Sequence, residues 1–323
     1  MVTIAPSLAD QLQNHPEPAL RYFALTKLFH PDGDSRELIS TRSKLPDSKV
    51  INQLINVPEG FHPYHKWQGA HWALTMLAEI GYPYYSDPQL IKLQEQVYAW
   101  LFSAKHQQSI KIIDGRTRRC ASQEGNALYF SVRLNMINDQ TAQLTEKLLG
   151  WQWPDGGWNC DKKPTACHSS FWETWEPLRG LIAWRNFAGS SAGLDQAIDQ
   201  GCEVFLKRKL YLTQHTREVM QKDFLRLHHP SYWKYDILVG LELIQAAGKL
   251  MDPRCESALD VLESKMLPDG GFCMEDRLFQ ASNPQGYHYS PLDWGRASKR
   301  SANYWITVRA LSVLTTSGRV RLS

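Results

Sequence analysis

One turn sequence recurs along the chain and restricts the fold more than any other feature. Trp151-Gln-Trp-Pro-Asp-Gly-Gly-Trp-Asn-Cys-Asp161 leads into Cys167-His168-Ser-Ser-Phe-Trp-Glu-Thr174, and a weaker copy returns as Leu267-Pro-Asp-Gly-Gly-Phe-Cys273. A third echo, Pro58-Glu-Gly-Phe61, precedes Trp67-Gln-Gly-Ala-His-Trp72. Each unit ends a helix in a glycine turn, plugs the turn with an aromatic residue, crosses a polar loop and enters a new apolar helix. Self-similarity of this kind is the mark of a helical-hairpin repeat.

Periodicity supports an all-α reading. Ala19, Tyr22, Phe23, Leu25, Leu28 and Phe29 recur at spacings of three and four, as do Trp72, Leu74, Leu77 and Ile80. Asp87-Pro88 and Asp252-Pro253 offer an N-cap followed by proline at the first helical position, and Gly81, Gly150 and Gly248 read as stops. Helices are expected near 19–29, 67–80, 121–136, 170–185, 232–247 and 301–316, alternating with helices near 36–55, 87–104, 139–149, 193–209 and 252–265. The first set is the more apolar and should be the more buried. Hairpins of this sort bury their apolar faces only by stacking on neighbours, and an array closed into a ring needs no polar caps. The loops 57–66, 105–120, 151–169, 210–231 and 267–300 then gather at one mouth of a central cavity.

A net charge of +3, with 21% charged residues, calls for neither nucleic acid nor an anionic membrane surface. No apolar run approaches the length of a membrane span, and the first residues lack the apolar stretch of a signal peptide. A soluble cytoplasmic protein is expected, with its six cysteines as reduced thiols or ligands.

The Pro-Asp-Gly-Gly-Trp/Phe turn before a helix opening Ser169-Ser-Phe-Trp-Glu-Thr-Trp175 resembles the repeat shared by squalene-hopene type terpenoid cyclases and the catalytic subunits of protein prenyltransferases. The resemblance is clear over 151–185 and weaker over 267–315, and it implies a single α/α toroid domain of five to six hairpins across residues 1–323. The Asp-x-Asp-Asp acid of such cyclases does not occur in this chain; a rough match places Ala166-Cys167-His168-Ser169 there. The prenyltransferase zinc positions correspond to Ala166, His168 and Asn303. Lanthionine cyclases, on a similar toroid, bind zinc through one Cys and a Cys-His pair, to which Cys160 and Cys167-His168 are similar in kind.

Three constellations follow. Cys120, Cys160, Cys167 and His168 supply soft donors suited to tetrahedral zinc, or are small thiols packing helix ends. Glu124, Asp161, Glu173, Asp236 and Asp276 stand at or near the starts of the apolar helices. In an apolar cavity such carboxyls have raised pKa values and serve as general acids or bases; elsewhere they cap helices or pair with Arg119, Arg179 or Lys234. Trp67, Trp72, Trp172, Tyr232, Trp233, Tyr304 and Trp305 either line the cavity and bind substrate, as does Asp236, or staple hairpins together. His228-His229-Pro230 reads as a loop cap whose two rings point apart.

The leading expectation is an enzyme that cyclises or isomerises an apolar small molecule, isoprenoid in the sense of the resemblance. Asp161 or Glu173 is its proton donor, with Glu124 and His168 as further catalytic candidates, and the site lies on loops 105–124, 151–175 and 267–290. The alternatives are a zinc-dependent transferase or hydrolase, or thiol chemistry, at the Cys/His cluster, and a toroid that binds a ligand or protein without catalysis.

Overall fold

The computed structural model describes residues 2–4, 6–30, 35–83, 87–284 and 286–322; Gln285, within the 267–300 loop, lies outside them. The chain is mostly helical. In order, the elements are β1 (Val2–Thr3), α1 (Pro6–Gln13), α2 (Pro18–Ala24), α3 (Arg36–Arg42), α4 (Lys49–Ile55), α5 (Ala70–Ile80), α6 (Pro88–Leu101) and α7 (Ala104–Gln108). They continue with β2 (Lys111–Ile113), β3 (Arg116–Arg118), α8 (Ser122–Arg133), α9 (Asp139–Trp151), α10 (Phe171–Ala188) and α11 (Ala192–Leu206). The last are α12 (Ile237–Ala246), α13 (Glu256–Glu263), α14 (Tyr304–Thr316) and β4 (Val320–Arg321). A π-helical turn, Leu25–Phe29, extends α2.

The two expected helix sets are present, with local differences. Asp236 and Asn303 set later starts for α12 and α14, since their side chains accept the N–H groups of Val239 and Ile306. Asp87, with Pro88 behind it, caps α6 through the Gln89 N–H at 2.8 Å. Gly81 and Gly248 end their helices at φ of 80° and 77°, whereas Gly150 does not stop α9, which runs on to Trp151. The expected 36–55 helix is divided into α3, a 3₁₀ turn at Leu45–Asp47 and α4, because Pro46 interrupts it.

Packing follows the repeat. Helix α2 packs on α3, α5 on α6, α8 on α9, α10 on α11 and α12 on α13. The six apolar helices also touch in sequence order: α2 with α5, α5 with α8, α8 with α10, α10 with α12, and α12 with α14. Helix α14 returns to α2, and the parallel pair Val2↔Val320 and Thr3↔Arg321 joins β1 to β4 beside that contact. One continuous hydrophobic cluster runs through the whole set, from Ile4 to Val320.

The repeated turn is reproduced bond for bond. Trp153 N–H donates to Gly157 O at 2.7 Å, and Leu267 N–H donates to Gly271 O at 2.9 Å. The plugging aromatics are buried, and each donates its N–H to a threonine hydroxyl on the next apolar helix: Trp158 to Thr174 Oγ1 at 3.1 Å, Phe272 to Thr307 Oγ1 at 2.9 Å. Gly156 turns at φ 103° against Gln200, where a Cβ would come within 2.3 Å of the Gln200 carbonyl oxygen.

The tightest approach is between α8 and α10. A Cβ on Gly125 would stand 2.4 Å from Pro177 Cα, and one on Gly180 would stand 2.5 Å from the Gly125 carbonyl oxygen. Backbone lies on both sides, so neither helix can yield by a rotamer change. Gly125→Ala is therefore expected to cost at least the ~1–3 kcal/mol of an overpacked core. A urea titration of folded fraction checks this, and an unchanged midpoint would contradict the close approach.

Candidate functional site

Two polar sites interrupt the apolar body. The first is a cavity of about 140 Å3 lined by residues from all six apolar helices, from first-turn Trp305 to last-turn Ile80 and Ala246. Phe23, Tyr129, Trp175, Trp294 and Trp305 give it aromatic walls. Five charges line it. Arg179 on α10 reaches Glu79 on α5 at 2.7 Å, and Arg309 on α14 grips Glu242 on α12 with contacts of 2.6–3.1 Å. The fifth, Lys27, is paired with no carboxylate among the described residues; its ammonium lies 6.0 Å from the Phe23 ring centre. Lys27 lines the cavity with an exposed side chain, with protein packed around that opening. Burial lowers its pKa, and the Glu242 carboxylate offsets part of that effect.

His229 enters the cavity from the loop before α12, stacked on Trp305 with ring centres 5.3 Å apart and edge-on to Trp294. It is 4% exposed, and neither ring nitrogen has a partner. Burial, then the Arg309 and His228 charges, hold its pKa well below the ordinary value, so the ring is neutral at pH 7. Trp294 Nε1 is buried near the Tyr232 hydroxyl without a well-formed hydrogen bond. Buried polar atoms left unpaired are uncommon, and the two ring nitrogens of His229 mark a place for a polar ligand or water.

The second site lies on the 105–124 and 151–175 segments. Cys120, Cys160 and Glu173 converge, one donor atom from each lying within 4.8 Å of the others, and among the described residues no other His, Cys, Asp or Glu joins them. The β2–β3 hairpin carries Cys120 there. Trp153 Nε1 donates to Thr117 O at 2.8 Å, Arg118 lies over the Trp153 ring and donates to Ala166 O, and Arg119 N–H donates to Asn159 O at 3.3 Å. That last bond sets Cys120 beside Cys160. Glu173 comes from the first turn of α10; Ser122 N–H donates to its Oε2 at 3.3 Å, and Cys160 Sγ lies 3.4 Å from its Oε1. Burial raises the Glu173 pKa. The adjacent Cys120 thiol, burial and Glu173 hold the Cys160 thiol far above its usual range. One turn on, Glu176 is fully buried with Oε1 unpartnered, and burial pushes its pKa well above the carboxylate range.

The other candidate residues are placed elsewhere. Asp161, Cys167 and His168 are exposed, and Asp161 accepts only a local turn bond from Lys163 N–H. Glu124 is buried in a knot with Arg119 Nε at 3.0 Å and His106 Nε2 at 2.9 Å. Asp276 pairs with Lys234 at 3.3 Å. Asp236 caps α12 and holds His228 Nδ1 at 2.9 Å. Of the seven aromatics only Trp305 lines the cavity. Trp67 stacks on Tyr232 with ring centres 3.7 Å apart and meets Trp72 edge-on, Trp172 meets Trp233, and Tyr304 donates to Gln11. The faces of Trp67 and Trp233 already hold a cation of the protein's own, the Lys66 ammonium, at 5.3 and 5.1 Å.

Sequence reasoning missed Lys27, Glu79, Arg179, Glu242 and Arg309 as cavity residues. Their signal was present: each is a lone charge inside an otherwise apolar helical run, as in Leu77-Ala78-Glu79-Ile80 and Leu241-Glu242-Leu243. The two adjacent histidines do point apart, but only His228 is tied down. Comparison with protein-family models, with curated proteins and with solved structures finds no match to this chain.

Asp236 offers a test of the loop that carries His229. Burial pushes its carboxyl upward, but His228, Arg309 and the Val239 N–H outweigh this and hold its pKa below the ordinary value. Its contribution is therefore complete above the unfolded-state pKa of about 3.9 and is lost as pH falls through the lower folded value. Asp236→Asn is expected to cost ~3–5 kcal/mol at pH 7, as when a buried pair is broken from one side. In urea titrations the gap between wild type and variant should persist to pH 5 and narrow progressively as pH falls below 4.

Proposed function

We propose that the chain is an α/α toroid whose central cavity encloses a small, largely apolar organic anion. The circular order of helix contacts and the presence of all six apolar helices around one cavity support the toroid reading. The observation that carries the ligand reading is the charge of the lining: three cations, Lys27, Arg179 and Arg309, face two carboxylates, Glu79 and Glu242, with Lys27 left over. One negative charge on a ligand completes the set, and the aromatic walls accept its apolar body.

Size narrows the class. An apolar cavity of roughly 150 Å3 holds a benzene-sized guest, so about 140 Å3 suits a single ring or a short branched chain rather than a C30 polyene. Chemistry narrows it too. Asp161, Glu173 and Glu124 are not among the lining residues, and a lysine ammonium is too weak an acid to protonate an unactivated alkene. The cavity therefore favours binding, or proton exchange next to the ligand's anionic group, over polyene cyclisation. In that exchange Lys27 fixes the charge and neutral His229 takes the proton, general-base work that needs an unprotonated imidazole.

Thermal-shift and calorimetric titrations with paired probes test this: benzoate against benzamide, and prenyl phosphate against prenol. The anions should raise the melting temperature and the neutral partners should not. Lys27→Met should weaken anion binding roughly tenfold to hundredfold, the worth of one charge-assisted contact. Equal binding of neutral and anionic probes, or full affinity in Lys27→Met, would overturn the reading.

A further inference from the structure

We propose that Cys120, Cys160 and Glu173 form a zinc site with three protein ligands and an open fourth position, separate from the central cavity. Two sulfurs and a carboxylate oxygen suit a borderline-soft, four-coordinate dication. The spacing agrees: tetrahedral zinc, with bonds of about 2.3 Å to sulfur and about 2.0 Å to oxygen, holds those atoms about 3.5 Å apart. Cys160 Sγ and Glu173 Oε1 are separated by 3.4 Å, and all three donor atoms fit within 4.8 Å.

The surroundings are those of a built site. The donors come from three segments brought together by backbone bonds, with Arg119 N–H to Asn159 O placing the two thiols side by side. Ser122 N–H occupies Glu173 Oε2 and so turns Oε1 toward the thiols, the kind of supporting bond that fixes a ligating carboxylate. Glu176, 1% exposed and one turn along α10 from Glu173, leaves Oε1 without a partner. Three protein ligands and an open position are the arrangement in which zinc binds a water or a substrate group. The ligand set differs from the one the sequence suggested, since Cys167 and His168 are exposed and stand outside the cluster.

The test uses the full chain, purified without a histidine tag or chelator. Elemental analysis should give one zinc per chain. Cobalt replacement should give a thiolate-to-metal charge-transfer band that falls to about half in Cys160→Ser. Cys120→Ser and Glu173→Gln should weaken metal binding by more than the ~10–100-fold that a supporting residue costs, whereas Cys167→Ser and His168→Ala should leave it unchanged. Alkylation mapped by mass spectrometry needs no variant and so covers the case in which one fails to fold. In native protein Cys167 should react while Cys120 and Cys160 are protected, and chelator should release both. Protein that carries no zinc and takes up no cobalt, metal lost on Cys167→Ser, or protection removed by a disulfide reductant instead of a chelator would each overturn the assignment.

Discussion

The structure depends on one constraint: none of its apolar helices can bury itself without two neighbours. Along α12 every residue from Ile237 to Leu241 is buried, and α5 is buried over nearly its whole length. A single hairpin partner covers only one side of such a helix. Contacts that pass from α2 through α14 and back to α2 give each member the second neighbour it requires. Close backbone approach at Gly125 and Gly180 draws α8 and α10 together within that circuit.

Charge at the centre works against simple collapse. Buried ion pairs add little stability compared with well-packed apolar side chains of the same volume. Arg179–Glu79 and Arg309–Glu242 thus have no evident stabilising purpose where aliphatic residues would serve. They also hold further groups in place. Arg179 donates to Asn126 Oδ1 at 2.5 Å, and Asn126 Nδ2 lies 3.2 Å from His71 Nε2; burial lowers the pKa of that histidine to about 3, so its ring is neutral and can accept. Arg309 donates to the His228 carbonyl, next to His229. Polar side chains with fixed partners keep the middle of the body from filling with hydrocarbon.

The fold was legible because its punctuation is chemical. Asp87-Pro88 and Asp252-Pro253 start helical segments, and the two Pro-Asp-Gly-Gly turns use the same hydrogen bonds. Helix starts set by a lone cap inside a long loop, Asp236 and Asn303, were harder to read, since nothing local distinguishes a capping Asp or Asn from any other polar residue. The site was half legible. Cys120 and Cys160 stood out as soft donors and Glu173 as an acid, but their convergence was not legible, because a carboxylate's neighbours come from across the fold. The aromatic residues stayed open to two readings for a related reason: at the start of a helix, stapling and lining have the same sequence signature. Lys27 and Arg309 passed unnoticed because a charge in an apolar helix looks like a surface position until every neighbour is known.

The return contact from α14 to α2 joins segments separated by nearly the whole chain. Loop closure over such a distance costs entropy, and each contact between successive helices reduces that cost by shortening the loop still free. Without that contact the hairpins would keep only their sequential contacts, and Trp305 and Arg309 on α14 would not face Phe23 and Lys27 across the cavity. Two apolar helix faces, one on α2 and one on α14, would then be left without their second neighbour.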